Sequence, residues 1–478
     1  VEDILHLFLA DLQNNRARKV YAADERPDIS RAKPPRFDLL DLSAYSTMSI
    51  QYSRGCPFRC EFCDIWKVYG NRPRLKLAET VIRELDALFK LGWRGTVFIV
   101  DDNFIGNKKR VKKELLPALV KWQKDHGHVY QFFTEASINL ADDPQLLAGM
   151  RDSGFTEVFI GIETPSAASL KETGKTQNLK TDLSRAVRTV QNFGIEVMAG
   201  FILGFDSDTA DIFDRQIDFI EENGIPRAMV GLLNALPGTD LFDKLQQEDR
   251  ILGDCEGNNT HQMTTNFKTR MDAELLKEGY LKVIATLYGT NLKNYFTRCS
   301  RLFDNLGDTA HYSRDIHLNE IRILLRSILT QPFTLYGVQY AKFILRNLFK
   351  HPQIFGEVVR FAIIGHHFHT ITRETLKAEA VVTALEGSYR DLREQLSICL
   401  ETMKVNSQEA CRHARLLWKG QKKNLEEIRK KIDRIHEDFR GDMLGKYADV
   451  SEKIALLFSA FPGSAIEQPS AAWNNFQP

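Results

Sequence analysis

Between residues 48 and 239 the chain switches hydrophobic period again and again. Short β-rich runs alternate with longer segments whose apolar side chains recur at helical spacing. The β-type runs cover 48–53, 96–100, 130–135, 157–161, 196–203 and 228–233. The helical stretches cover 77–91, 108–125, 143–153, 181–193 and 209–223, and a last one starts near Thr239. Strands alternating with helices of this length build right-handed βαβ units, which predicts a parallel sheet and an α/β fold. In parallel barrels of such units the working residues sit at the C-terminal ends of the strands.

Those ends are polar here. Asp101, Asp102 and Asn103 follow the second run, and Glu135 closes the third in Thr134-Glu135-Ala136-Ser137. Glu163 follows the fourth in Gly161-Ile162-Glu163-Thr164, residues 200–204 (Gly-Phe-Ile-Leu-Gly) end the fifth, and residues 234–238 end the sixth. Plain alternatives stand beside a ligand-binding role. Acidic residues at strand ends serve as helix N-caps, Asp101 and Asp102 included. Gly200 and Gly204 read equally well as turn chemistry.

After the first run comes Ser53-Arg54-Gly55-Cys56-Pro57-Phe58-Arg59-Cys60-Glu61-Phe62-Cys63-Asp64. Three thiolates so close can wrap one small metal cluster, and thiolates are the soft ligands that iron–sulfur clusters require. A four-iron cluster on three cysteines leaves one iron open to an outside ligand, an arrangement for chemistry rather than electron storage. A structural zinc site is the competing reading, but it wants four closed ligands, commonly as paired cysteines. Cys255, Cys299, Cys399 and Cys411 are isolated, so a fourth ligand would have to come from afar. Seven cysteines in 478 residues, an odd and sparse set, argue against a disulfide framework.

The Cys-x-x-x-Cys-x-x-Cys loop, with Phe62 before its last cysteine and the strand–helix alternation behind it, resembles the radical S-adenosylmethionine superfamily. The resemblance implies a partial (β/α)6 barrel over residues 46–252. It implies a [4Fe–4S] cluster on Cys56, Cys60 and Cys63, with S-adenosylmethionine chelated to the open iron and cleaved by one electron to a 5′-deoxyadenosyl radical. It further implies that Phe62 lies against the adenine. Asp102, Glu135, Glu163, Gly200 and Gly204 would position the rest of that cofactor. Carboxylates suit hydroxyl and ammonium groups, and glycine lets the backbone approach a base. An external electron donor such as a flavodoxin or ferredoxin is implied too. One departure stands out. Many members carry a Gly-Gly-Glu-like triplet after the second strand to bind the methionine ammonium, where this chain has Asp101-Asp102-Asn103.

An acidic variant of that triplet is familiar in the cobalamin-linked branch. The segment Pro35-Arg36-Phe37-Asp38-Leu39-Leu40-Asp41 and the Ser-Arg-Gly-Cys-Pro-Phe sequence are similar to that branch, and residues 22–41 resemble its interdomain linker. The resemblance implies cobalamin as a further cofactor and a cobalamin-binding domain upstream. Residues 1–45 would then be a linker, opening with an amphipathic helix at 2–14; a first residue of Val fits a fragment or processed form. The Asp-x-His-x-x-Gly loop of such a domain is absent from these residues; Asp315-Ile316-His317 matches only its first half and reads as a surface helix start.

Beyond the core, Gly253, Gly257, Asn258 and Asn259 break the pattern, and residues 271–461 read as almost entirely helical. A helical domain is expected over 253–372, a helical arm or oligomer contact over 373–462, and a disordered tail over 463–478. Residues 321–372 are apolar and aromatic, with Arg322, Arg326, Lys342, Arg346, Lys350 and Arg360 against the single acid Glu357. Basic amphipathic helices can lie on anionic membrane surfaces; the plainer reading is a helical cap with a solvated basic face. His366, His367 and His369 are candidate metal ligands, read more simply as packing or capping residues. A net charge of +1 gives no signal for nucleic acid. No secretory signal appears, and no apolar run reaches the roughly eighteen residues of a spanning helix. Cluster chemistry and sparse cysteines fit a reducing cytoplasm, with peripheral membrane contact if the basic helices dock there.

The helical region loosely resembles the C-terminal part of hopanoid C-methylase-like members. The expectation is a radical S-adenosylmethionine enzyme that methylates an unactivated carbon by way of cobalamin, on a small-molecule or lipid substrate. Two rivals stay open. One is a cobalamin-independent radical enzyme for isomerisation, cyclisation or carbon–sulfur chemistry. The other is a binding protein on a degenerate barrel, against which the intact cysteine triad counts.

Overall fold

The computed structural model describes residues 3–23, 25–255, 263–289, 291–306, 318–459 and 461. Its centre is a parallel sheet of six strands in sequence order: β1 (Thr47–Ile50), β2 (Thr96–Ile99), β3 (Phe132–Ala136), β4 (Phe155–Glu163), β5 (Glu196–Leu203) and β6 (Ala228–Leu232). Between and after them run helices α1 (Ala78–Lys90), α2 (Leu116–Asp125), α3 (Pro144–Ser153), α4 (Leu183–Asn192), α5 (Ile212–Glu222) and α6 (Asp240–Gln247). This is the expected α/β alternation.

Period 2 explains which face does what. Val97, Ile99, Thr134, Val158, Ile160, Val197, Ala199 and Phe201 are buried on the helix-covered face. Helix α1 meets the sheet through Val81, Leu85 and Leu88, spaced at helical intervals and buried. Each such side chain contributes about 1.5–3 kcal/mol by leaving water.

The structure refines the helical stretch expected over 108–125. It is a composite of a 3-10 turn (Phe104–Asn107), a short α-turn (Lys108–Arg110), a π-turn (Val111–Leu115) and then α2, with Pro117 near the start of α2. Proline has no N–H and its ring excludes the preceding turn, so the ladder shifts register just ahead of it. A two-stranded ribbon (Ser53–Arg54 with Arg74–Leu75) flanks the cysteine loop, and two short helices (Ala167–Glu172 and Thr176–Leu179) follow β4.

Next come α7 (Ala273–Ile284), α8 (Lys293–Leu306), α9 (Leu318–Thr330), α10 (Gly337–Lys350) and α11 (Phe355–Met403). The chain divides into two compact units, 1–365 and 366–478, and the division falls inside α11. The second unit holds the rest of α11 with α12 (Ser407–Ile432) and α13 (Glu437–Phe458) around a core that includes Leu385, Leu396, Trp418, Ile432 and Phe458. Among the described residues no helix is long and apolar enough to cross a membrane. The Asp315-Ile316-His317 segment and the tail 463–478 lie outside the described residues.

Candidate active site

The cysteine loop leaves β1 under tight backbone control. Asp101 is buried and accepts from Tyr52 N–H at 2.8 Å, Ser53 N–H at 2.9 Å and Ser53 Oγ at 2.7 Å. Burial pushes its carboxyl up to about 6 in spite of those donors. Asp102 accepts from Gly55 N–H at 2.7 Å. Gly55 has φ +103°, and a Cβ there would stand 2.7 Å from the Gly70 carbonyl oxygen, to which Cys56 N–H donates at 3.2 Å. Farther along, Glu61 N–H donates to Thr173 O at 3.0 Å and Leu241 N–H to Glu61 O at 3.0 Å.

The thiols have their own donors. Asn103 Nδ2 approaches Cys56 Sγ at 3.8 Å, and Gln177 Nε2 approaches Cys60 Sγ at 3.9 Å. Burial pushes all three thiols up, Cys63 to about 12. Without a metal they are therefore protonated near neutral pH, and the thiolate form depends on the charge of what they bind. Among the described residues no three His, Cys, Asp or Glu side chains gather around one metal-ion position, the three histidines of α11 included. A zinc ion needs its donors about 2.0–2.3 Å from a single point, whereas an iron–sulfur cluster sets each thiolate on its own iron. Three thiols with two N–H donors aimed at sulfur fit such a cluster.

Glu163 ends β4 at a register shift, with a left-handed φ of +65°. Its carboxylate forms a buried ion pair with Lys175, carried on the turn between the two short helices. Gly161 makes room for the pair, since a Cβ there would stand 2.6 Å from Lys175 Nζ. Burial works against the lysine charge, but Glu163 and then Cys60 overcome it and raise Lys175 above its usual range. Lys175 Nζ lies 5.9 Å from the centre of the Phe62 ring, which itself packs against Phe205 at 6.1 Å.

The other strand ends differ. The Glu135 carboxyl has no hydrogen-bond partner among the described residues; burial and then the charges of Asp102 and Asp101 push it up to about 7. Asn103 Nδ2 also donates to Ser137 Oγ at 3.1 Å, tying the ends of β2 and β3 together. Gly200 is crowded from within the sheet, for a Cβ there would lie 2.8 Å from Phe159 Cζ. Gly204, at φ +101°, donates its N–H to Asp208 at 3.0 Å in a turn beyond β5. The structure thus groups Cys56, Cys60, Cys63, Phe62, Asp102 and Glu163 about one loop, sets Glu135 within reach of the Asp102 charge, and places Gly204 one residue before Phe205. Lys175 and Gln177 are the residues that sequence reasoning passed over, and Asn103, noted there only as a strand-end residue, turns out to face the Cys56 sulfur.

Below these residues the inner face of the sheet is apolar. Phe98 and Phe133 stack with ring centres 4.4 Å apart and planes at 2°. In register, Glu135 stands beside Phe159, Phe159 beside Met198, and Gly200 beside Met229, which is 50% exposed. The N-terminal end of that face is ionic. Arg227 bridges Glu157 at 2.7 Å and Glu196 at 2.6 Å, and Arg360 of α11 reaches Glu157 at 2.5 Å. Burial opposes the Glu157 charge, but Arg360 and Arg227 hold its carboxyl down at about 2, while burial raises Glu196 beside it.

Comparison with known proteins identifies the family. Residues 50–220 match the radical SAM superfamily, and residues 239–380 match a domain of unknown function, DUF4070. The chain is 43% identical over 306 residues to an uncharacterised methyltransferase of Synechocystis sp., covering 64% of this chain and 56% of that protein. It is 35% identical over 383 residues to hopanoid C-2 methylase of Rhodopseudomonas palustris, covering 77% of this chain and 70% of that protein. The chain therefore spans little more than half the length of the first relative. Among solved structures it is similar to the cobalamin-dependent S-adenosylmethionine radical enzyme OxsB with aqua-cobalamin bound, at 17% identity and a TM-score of 0.41, covering 95% of this chain and 66% of that one. With its cysteine loop at the mouth of a parallel six-stranded sheet and its extended kinship to the hopanoid C-2 methylase, the chain belongs to the radical SAM superfamily, whose members use a [4Fe–4S] cluster and S-adenosylmethionine.

Proposed function

We propose that this chain carries the catalytic core of a cobalamin-dependent methyltransferase acting on an unactivated carbon of an apolar, lipid-like substrate. The observation that carries the substrate class is the apolar inner face under the cysteine loop, with Phe98, Phe133, Phe159, Met198 and Met229 and an ionic floor of Glu157, Glu196, Arg227 and Arg360. Such a face binds by burying apolar area and offers few polar groups to orient a hydrophilic molecule. The names of the two relatives, both methyltransferases and one acting on hopanoids, point the same way.

In this reading Cys56, Cys60 and Cys63 hold the cluster. The cluster and S-adenosylmethionine, when bound, supply one-electron chemistry able to take hydrogen from an unactivated carbon, and cobalamin supplies a transferable methyl group. The chain's own residues do the positioning. Asn103 and Gln177 donate N–H bonds toward the sulfurs of Cys56 and Cys60, two of the thiolates that would hold the cluster. Phe62 offers a ring to the adenine. The Glu163–Lys175 pair presents both signs of charge to a zwitterionic ligand, and Glu135 is a carboxylate with open acceptor capacity for a hydroxyl or ammonium. Gly200 and Gly204 keep side chains away from the fifth strand end. Asp102, with its carboxylate on Gly55, would act by holding the loop. The electron comes from an external donor such as a flavodoxin or ferredoxin.

The test is anaerobic reconstitution with iron and sulfide, followed by a low-potential reductant, S-adenosylmethionine, methylcobalamin and a polycyclic lipid. Formation of 5′-deoxyadenosine with a methylated lipid is the expected result. No cofactor cleavage would sink the radical reading; cleavage with a product that carries no added methyl group would sink the methylation.

A further inference from the structure

Helices α9 and α10 form a hairpin, joined by a 3-10 turn (Gln331–Phe333), and each buries one narrow stripe. On α10 that stripe is Tyr340, Phe343 and Asn347, at i, i+3 and i+7; Phe343 stacks on Phe296 of α8 at 4.6 Å. On α9 it is Ser327, continued by Gln331 in the turn, and Ser327 Oγ lies 3.2 Å from Tyr340 Oη. At 100° per residue, Leu325 and Leu329 of α9 and Val338, Leu345 and Phe349 of α10 point away from those stripes. All five are exposed. The turn adds Phe333 and Leu335, 88% and 74% exposed, and Phe349 is 81% exposed. A soluble domain rarely leaves a ridge of this size facing water.

The polar residues beside the ridge are basic. Arg322 and Arg326 on α9, and Lys342 and Arg346 on α10, lie within about a quarter turn of the apolar direction. Over residues 318–350 the chain carries five Lys and Arg against the single acid Glu320, and two of the five, Lys350 and Arg346, also face Asp304 of α8 at 2.6 and 3.9 Å. An apolar ridge flanked by cations matches the interface of an anionic bilayer, where the apolar side chains enter the acyl boundary and the cations meet phosphates. Arg360, grouped by sequence with these cations, is spent inside the molecule on Glu157 and Glu357.

We propose that the α9–α10 hairpin is a membrane-docking surface for anionic lipid. The assignment goes beyond the methyltransferase reading, since it rests on the hairpin alone and holds for whatever chemistry the barrel performs. Flotation of the 478-residue protein with vesicles is the test. Phosphatidylcholine vesicles containing phosphatidylglycerol should carry the protein up the gradient, pure phosphatidylcholine should carry far less, and added salt should release it. Phe333→Ser and Phe349→Ser should each weaken binding about tenfold, as expected for withdrawing one buried aromatic side chain. Arg322→Glu, Arg326→Glu and Lys342→Glu together should abolish it. None of these side chains packs into the core, so the melting temperature and S-adenosylmethionine cleavage should stay those of the unmodified protein. Failure of the unmodified protein to float at low salt overturns the proposal. So does concentration-dependent self-association that the same two Phe→Ser variants abolish without any vesicle binding, which would give the ridge to a second copy of the chain. Loss of cofactor cleavage in the unmodified protein would strike the functional reading and leave the flotation result standing.

Discussion

Lys175 and Glu163 are buried as a pair, and among the described residues neither has a second ion-pair partner. Removing one leaves the other as an uncompensated buried charge, which costs about 3–5 kcal/mol. Lys175→Met should therefore lower stability by that order in chemical denaturation, and adding Glu163→Gln should restore much of it. A double variant no better than the single one would show that the two charges are not coupled. Glu135 makes a separate prediction through pH. Its carboxyl sits near 7 in the folded chain against 4.5 for the free group. Between those values the folded state holds a proton that the unfolded state has released, so stability falls as pH rises from about 4.5 to about 7. Glu135→Gln should flatten that slope in melting curves of the metal-free protein; an unchanged slope would place the titration elsewhere. Both glutamates were legible by position, as strand-end residues in apolar stretches. Their states were not. Lys175 lies between two helices of six and four residues, too short to show a period, so nothing local tied it to Glu163.

Among the elements, the six strands stand close to where alternating period put them, because each strand has one face against helices and the other against the barrel interior. Boundaries moved where a turn rather than a period decides them. Pro117 split the second helix, and the ribbon beside the cysteines has only two residues per strand, below the reach of any pattern. That ribbon and its glycine govern the loop. At Gly55 a side chain meets both a left-handed backbone and the Gly70 carbonyl oxygen. Gly55→Ala should leave circular dichroism of the α/β core near normal while cutting iron incorporation on reconstitution. Cys60→Ala should abolish the cluster spectrum. Full iron loading in the Gly55 variant would show that the loop can reshape at little cost.

Across the whole molecule, one long helix contributes an arginine to the floor of the sheet. Arg360 on α11 meets Glu157 and Glu357, close to Arg227 and Glu196. Arg360→Met would leave two acidic side chains sharing one arginine, and a loss of about 3–5 kcal/mol is expected for the unit spanning 1–365. Chemical denaturation followed by tryptophan fluorescence would measure it; a change within about 0.5 kcal/mol would mean that Arg227 alone satisfies both carboxylates. Sequence assigned Arg360 to a basic surface because composition counts charges without their partners, and this pairing spans more than two hundred residues of chain.

The hold that Asp101, Asp102 and Gly70 exert on the cysteine loop bears on repair. Each of these contacts is made by the protein's own groups and needs no metal to form. Iron–sulfur clusters are lost when oxygen reaches them. A loop that had to refold after every such loss would expose buried thiols to oxidation while it did so. If Cys56, Cys60 and Cys63 hold the proposed cluster, contacts that belong to the protein alone would let a lost cluster be replaced in a loop already shaped to receive it, and an episode of oxygen would cost a cofactor rather than a protein.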